Sequence, residues 1–306
     1  MGRTLTPERQ KQKSDAIRIR QELGWSERQI MAHLSLPRRT IRRYVGHNSE
    51  AKVGHNNGHL ALNTVHVMDC LEGMKRLPHE YIDLVFADPP YNIGVDYGNG
   101  NSPLDRHDAY YDWCSEWFRA VERLLKPGGA FYFMHYTEHC AYLLPRLRAL
   151  RFTFQHWIAW HYPTNIGHSP NNWTRSHRSI LFCTKGKTPA YFNGLADPQP
   201  YRNPTDKRIR ENLKTRPGVT PYDLWEYNLV KNVSKDKSSW PNQIPVALVE
   251  RIIKVSCPPD GIVCDPFMGS GTTAVAAVKN NRKWIGFDII AESKAETEAR
   301  LGALQI

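Results

Sequence analysis

The sequence predicts an α/β fold, a largely parallel sheet covered by helices, preceded by a small all-α module. Three observations carry that reading. From residue 64 onward, seven short apolar runs rich in β-branched and aromatic residues alternate with helical stretches, as strands joined through helices do. Two of those runs end in unusual turns, "DPPY" at 88–91 and "DPFMGSG" at 265–271, and ligands of such sheets sit beyond the carboxyl ends of the strands. Residues 1–47 contain no such runs and read as short helices. A chain of 306 residues has room for one large domain or two modest ones, with an ample core.

Residues 8–23 form the first expected helix, with Ala16, Ile17 and Leu23 among its apolar positions and Gly24 as its terminator. Ser26 is a fitting N-cap for a second, which places Ile30, Met31 and Leu34 on one face. Pro37 suits the first position of a third, "RRTIRRYV". Three short helices with a tight second turn resemble the homeodomain-like helix-turn-helix of resolvases and phage regulators. That resemblance sends Arg38, Arg39, Thr40, Arg42 and Arg43 towards phosphates and base edges of DNA. A small helical cap with a solvated basic face is the plainer alternative. Residues 48–60 are polar and rich in Gly and Asn, and read as a linker.

The body of the chain follows at 61–306. Its expected strands are "TVHVMD" (64–69), "IDLVFAD" (82–88), "GGAFYFM" (128–134), "FTFQHWIAW" (152–160), "SILFCTK" (179–185), "GIVCDPF" (261–267) and "KWIGFDI" (283–289). Helices are expected between many of them, at 111–125, 138–149, 245–256 and 272–280.

The net charge of +11 is unevenly spread. Residues 1–53 hold twelve Lys and Arg against five Asp and Glu, residues 160–240 thirteen against six, and the remainder sixteen against nineteen. Two basic blocks around a near-neutral body suit a polyanionic partner, with nucleic acid favoured over a membrane surface. No apolar run approaches spanning length and the N-terminus lacks an apolar signal core, so a cytoplasmic, nucleoid-associated protein is expected. The six cysteines show no CxxC pairing and no zinc-site spacing, and read as scattered reduced thiols; no metal is expected.

The turns carry the chemistry. Asp88, Pro89, Pro90 and Tyr91 stand where a buried strand must stop, because proline cannot continue a ladder. A rigid turn is the bland account. The sharper one is a pocket for a flat, amine-bearing ring: a carboxylate beside a proline carbonyl supplies two acceptors for an exocyclic amine, and Tyr91 supplies a face for stacking. In the second turn Gly269 and Gly271 bracket Ser270 and permit a tight bend, and Thr272 starts a small-residue helix. It is neither a GxGxxG fingerprint nor a phosphate loop, since no Lys follows the second glycine. Asp288 ends the next strand, where a carboxylate accepts the paired hydroxyls of a ribose. Asp69 ends an earlier strand and either approaches an adenine or caps the following helix.

"DPPY" followed far downstream by "DPFMGSGTT" resembles the amino-methylating DNA methyltransferases that use S-adenosylmethionine, and the order of the two motifs resembles their beta group. The likeness runs from about residue 61 to 292 and extends to "LKPGGAFYFM", "SILFCTKG" and "NQIPVALVERIIKVS". It implies a seven-strand Rossmann-like methyltransferase sheet, circularly permuted relative to the order with the cofactor motif first. It implies further that Asp88, Pro89, Pro90 and Tyr91 hold a flipped base. Asp265, Phe267, Gly269, Ser270, Gly271 and Thr272 line the cofactor, with Asp288 on its ribose and Asp69 near its adenine. The basic stretch at about 186–239 becomes a target-recognition insert of the protein, with double-stranded DNA as its partner.

Three positions depart from the family's pattern: Trp240 before Pro241 in place of His, Arg178 after His177 in place of Glu, and His161 in place of Lys. An Asp at the head of the tetrapeptide resembles the N6-adenine members, Ser being more frequent in N4-cytosine ones. The alternatives are cytosine N4 methylation, or a helix-turn-helix regulator with a relic methyltransferase domain. A homodimer and a companion restriction endonuclease are open to such a protein.

Overall fold

A computed structural model describes residues 60–91, 107–163, 169–231, 234 and 237–304. The helix-turn-helix assigned to 1–47, with Arg38, Arg39, Thr40, Arg42 and Arg43, lies outside the described residues, as does the linker apart from Leu60.

The described strands are β1 (Val65–Val67), β2 (Ile82–Ala87), β3 (Leu125–His135), β4 (Phe152–His161), β5 (His177–Lys185), β6 (Leu224–Glu226), β7 (Ile262–Asp265) and β8 (Lys283–Asp288). They form one sheet in the order β1-β8-β7-β2-β3-β5-β4-β6. All seven expected strands are present. The eighth, β6, is three residues at the far edge, of which only Trp225 is buried, too short for any alternation to announce it. Pairing is parallel except on the two sides of β5, which runs against β3 and β4.

The helices are α1 (Cys70–Lys75), α2 (His107–Leu124), α3 (Thr137–Ala149), α4 (Lys207–Leu213), α5 (Val246–Ser256), α6 (Thr272–Lys279) and α7 (Ala291–Gly302). Helices α2, α3, α5 and α6 fall where expected. In α2, Tyr110, Tyr111, Cys114, Trp117, Phe118, Val121 and Leu124 recur at the three- and four-residue steps of one helical face, and all are buried.

The sheet divides two cores, because successive strand residues point to opposite sides. Leu84 and Phe86 of β2, Tyr132 and Met134 of β3, and Ile180 and Phe182 of β5 enter one core with α5 and α6. Val85 and Ala87, Phe131 and Phe133, and Leu181 and Cys183 enter the other with α2 and α3. Strands buried on both sides read as near-continuous apolar runs, which is why "IDLVFA" and "IVCD" were legible without alternation. All six cysteines are unpaired and buried in these cores. Among the described residues no helix is long and apolar enough to cross a membrane.

The topology places the site. β2 continues through α2 to β3 on one side, whereas its neighbour β7 continues through α6 to β8 on the other. Adjacent parallel strands whose outgoing connections diverge leave a crevice at their carboxyl ends. The two unusual turns leave β2 and β7 at that point.

Candidate functional site

The first turn begins where Ala87 ends β2 and two prolines halt the ladder. The Tyr91 hydroxyl donates to Asp88 Oδ1. Burial holds that hydroxyl well above the usual tyrosine range, so it keeps its proton and serves as a donor. Burial also pushes Asp88 up to about 6, against the pull of the Arg178 charge and the Tyr91 hydroxyl, which favour the carboxylate.

Tyr91 is only 5% exposed, and its ring does not present a bare face. The His135 imidazole stacks on it at 4.4 Å and 27°, Tyr136 meets it edge-on at 4.9 Å, and the Arg178 guanidinium lies 5.0 Å from its centroid. The register pairs His135 with Ser179, and Trp160 with Arg178. Ser179 and Arg178 are successive, so His135 and Arg178 reach Tyr91 from opposite sides of the sheet. A planar ring stacking face to face on Tyr91 therefore has to displace one of them.

A second chain of bonds fixes the prolines. His135 Nδ1 accepts from the Tyr136 amide at 2.8 Å, which assigns the ring proton to Nε2. Nε2 then donates to the Tyr110 hydroxyl at 2.8 Å, and Tyr110 donates to the carbonyl of Pro90, also at 2.8 Å. Burial, with His139 and Arg178 nearby, lowers His135 well below its ordinary value and keeps it neutral in this relay. The Pro90 carbonyl is thus engaged within the fold. Nothing in the sequence linked Tyr110 and His135 to the tetrapeptide, since neither is near it along the chain.

The second turn is built from inside. Asp265, 3% exposed, accepts from the Phe267 amide through Oδ1 at 2.9 Å and from the Thr273 hydroxyl through Oδ2 at 2.5 Å. Burial is the main cause that pushes it up to about 7. Gly269 and Gly271 adopt φ of 50° and 76°, the left-handed region. Asp288 spans the turn: Oδ2 accepts from the Gly269 amide at 2.8 Å and Oδ1 from the Ile290 amide at 2.9 Å. Burial pushes it up, against those two amides and the Ser293 hydroxyl and Ile289 amide, which also bond it and favour the carboxylate.

Helix α7 braces the turn through three residues that share one face. Ser293 donates to the Gly269 carbonyl at 2.7 Å, Thr297 packs against Gly271, and Arg300 donates to the Ser270 carbonyl at 2.7 Å and to Thr272 Oγ1 at 3.1 Å. The spacing 293, 297, 300 is helical, and Ser293 and Thr297 are fully buried. A buried polar stripe on a charged helix was the signal available for it. Ser270 and Thr272 bond each other at 3.0 Å and are buried in the same network. Phe267 packs on Trp113 and Trp117, with centroids 5.6 and 5.2 Å away. Trp240, the departure from His, lies against Gly269.

Asp69 caps α1, accepting from the amides of Leu71 and Glu72 through Oδ1 at 2.9 and 3.2 Å. Of its two expected roles, capping is the one the geometry displays. The structure brings Asp88, Asp265 and Asp288 to neighbouring strand ends on one rim, with Asp69 adjoining through the Met68 amide, which bonds the Asp288 carbonyl at 2.8 Å. One wall of the crevice offers a carboxylate, a tyrosine and a proline turn; the other offers a glycine turn held by carboxylates. That arrangement can hold an amine-bearing ring against a second, hydroxyl-bearing ligand.

Comparison with known proteins agrees. A family model described as DNA methylase, N6_N4_Mtase, matches residues 82–299. The type II methyltransferase M.HpaI of Haemophilus parainfluenzae is 34% identical over 236 residues, 76% of this chain and 72% of its own. The DNA adenine methyltransferase YhdJ of Escherichia coli (strain K12) is 32% identical over 229 residues, 73% of this chain and 77% of its own. Among solved structures, PvuII DNA methyltransferase, titled cytosine-N4-specific, has a TM-score of 0.61 at 22% identity, covering 79% of this chain and 87% of that one. The M1.HpyAVI–SAM complex has a TM-score of 0.57 at 22% identity, covering 78% and 98%.

Proposed function

Because the chain belongs to the N6_N4 family of DNA methylases, we propose that it transfers a methyl group from S-adenosylmethionine to the exocyclic N6 of an adenine turned out of double-stranded DNA. The observation that carries the reading is the meeting of the two turns at the divergence of β2 and β7. Adenine is preferred because Asp heads the tetrapeptide and a relative of similar length is named for adenine.

The residues present fit the donor. Asp288 is a carboxylate at the end of β8, where ribose hydroxyls are accepted in such folds, and the Gly269–Gly271 turn brings backbone close enough to line a ligand without side chains between. Bound there, S-adenosylmethionine supplies an electrophilic methyl on a sulfonium centre. The chain's own residues prepare the acceptor. Asp88 and a proline carbonyl of the turn take hydrogen bonds from the two amine hydrogens, that of Pro90 being already oriented by Tyr110. This leaves the amine lone pair free and the ionised Asp88 in place for the proton the amine must lose. Tyr91 packs the base from the side. Exposed Lys207, Arg208 and Arg210 of α4, in the insert at 186–239, and the basic residues of 1–47 supply contacts to the DNA backbone. The type II names of relatives extend the proposal to a companion restriction endonuclease.

Labelled cofactor and duplex DNA, with the product digested to nucleosides, test this. N6-methyladenine is the expected product; N4-methylcytosine overturns the choice of base, and absence of label overturns the activity.

The carboxylate sets a pH dependence. Asp88 must be ionised to accept the amine, so single-turnover methyl transfer should fall as pH drops through about 6. Arg178 favours the ionised form, so Arg178→Gln should move this acid limb to higher pH. A profile from pH 5 to 8 for both proteins, with an unmoved limb, would show that the charge does not act on Asp88.

A further inference from the structure

The same rim carries a large aromatic side chain that folding leaves in water. Trp173 is 94% exposed, in a stretch ahead of β5. Because β5 runs against β3 and pairs Ser179 with His135, its start lies at the edge where β3 ends, beside Tyr91. A single exposed side chain is ordinary on a protein surface; what marks this one is a flat aromatic ring, able to stack on a base, held beside the proline turn.

The stretch that bears it is moored to the site. The Arg175 guanidinium lies 3.9 Å over the Tyr136 ring, and Tyr136 is edge-on to Tyr91. The Tyr162 amide donates to the Ser176 carbonyl at 2.9 Å, and the Tyr162 hydroxyl to the His177 carbonyl at 3.1 Å. Asn172 Oδ1 accepts from the Trp173 amide at 2.8 Å and stiffens the turn at the indole itself. Only Thr174 separates Trp173 from Arg175, whose Cα atoms are therefore within about 7 Å even at full extension. That tether keeps the indole on the rim where β3 ends and the proline turn lies.

A base that leaves the duplex vacates a slot about 3.4 Å high, the thickness of an aromatic ring, and its neighbours lose their stacking partner. We propose that Trp173 is a wedge that enters the base stack of duplex DNA and fills the place of the extruded base. The proposal rests on the DNA-methylating function proposed above. It assigns the exposed indole to the DNA rather than to the pocket, where Tyr91 lies.

The test uses the full chain and two duplexes carrying the methylated sequence once sequencing of modified bases has identified it. One has the target adenine paired; the other has it opposite an abasic site, so that extrusion is already easy. Trp173→Ala should slow single-turnover methylation of the paired duplex on the order of 10- to 100-fold. Trp173→Phe should keep most of the rate, and both variants should approach the wild-type rate on the unpaired target. Equal rates of Trp173→Ala and wild type on the paired duplex overturn the wedge, and so does an equal loss on both duplexes, which would mean a general DNA contact or a folding defect. A wild-type protein inactive on both duplexes overturns the methylation reading itself.

Discussion

Replacing Asp88 with Ala is expected to lower methyl transfer on the order of 10²–10⁴-fold while leaving S-adenosylmethionine affinity little changed. Asp88 stands at the end of β2, and the glycine turn that follows β7 is held by Asp265, Asp288 and α7 without it. Removing its carboxylate deletes one of the two acceptors for the amine and the group available for its proton. It also leaves the Tyr91 hydroxyl without its acceptor in a buried place, so the ring loses the bond that orients it. Asp88→Asn separates these effects. The amide oxygen still accepts from Tyr91 and from an amine, but it cannot carry a proton away. Its rate should lie between those of wild type and Asp88→Ala. Single-turnover rates and calorimetric cofactor titration of both variants supply the check, and a large loss of cofactor affinity in Asp88→Ala would reassign the residue to the other wall of the crevice.

Gly271→Ala should be nearly as severe, by a different route. Its φ of 76° is costly for any L side chain, about 1–3 kcal/mol for a residue held in such a region. An added Cβ would also stand 2.3 Å from Thr297 Oγ1 and 2.9 Å from Thr297 Cα, so backbone of α7 has to retreat. That retreat breaks the Ser293 and Arg300 bonds that shape the turn. Loss of cofactor affinity is expected together with a fall in Tm of roughly 2–4 °C for each kcal/mol. Gly269→Ala is the comparison: its added Cβ meets nothing nearer than the Trp240 indole nitrogen at 3.3 Å, and the effect should be milder. Equal thermal shifts for the two would mean that backbone conformation, rather than the α7 contact, governs the turn.

The parts of this site that were legible are those in which chemistry and local conformation coincide. Two prolines after a buried apolar run mark the end of β2 by a rule of the backbone, and glycines bracketing a serine mark a turn in the same way. The remaining parts depend on neighbours in space. Tyr110 and His135 secure the Pro90 carbonyl from α2 and β3, and α7 braces the glycine turn from beyond β8. No local pattern encodes those distances. Asp69 shows the limit from the other side: a carboxylate two residues after a strand suits a cap and a ligand contact equally, and the sequence pattern is the same for both. Tyr91 was legible as an aromatic at the rim, but the cover given by His135 and Arg178 arises from the register of β3, β5 and β4.

The pairing of β1 with β8 has a consequence for how such a protein can be rewritten. The first and last described strands are neighbours, Val65 lying opposite Gly286, and α7 follows directly from β8. A gene rearrangement that opened the chain between β6 and α5, and spliced the segment after α7 onto the one before β1, would preserve every strand partner. The glycine turn would then be translated first and the proline turn last, over an unchanged crevice. Motif order along the polypeptide records where the loop of chain is cut, and the catalytic geometry is indifferent to it.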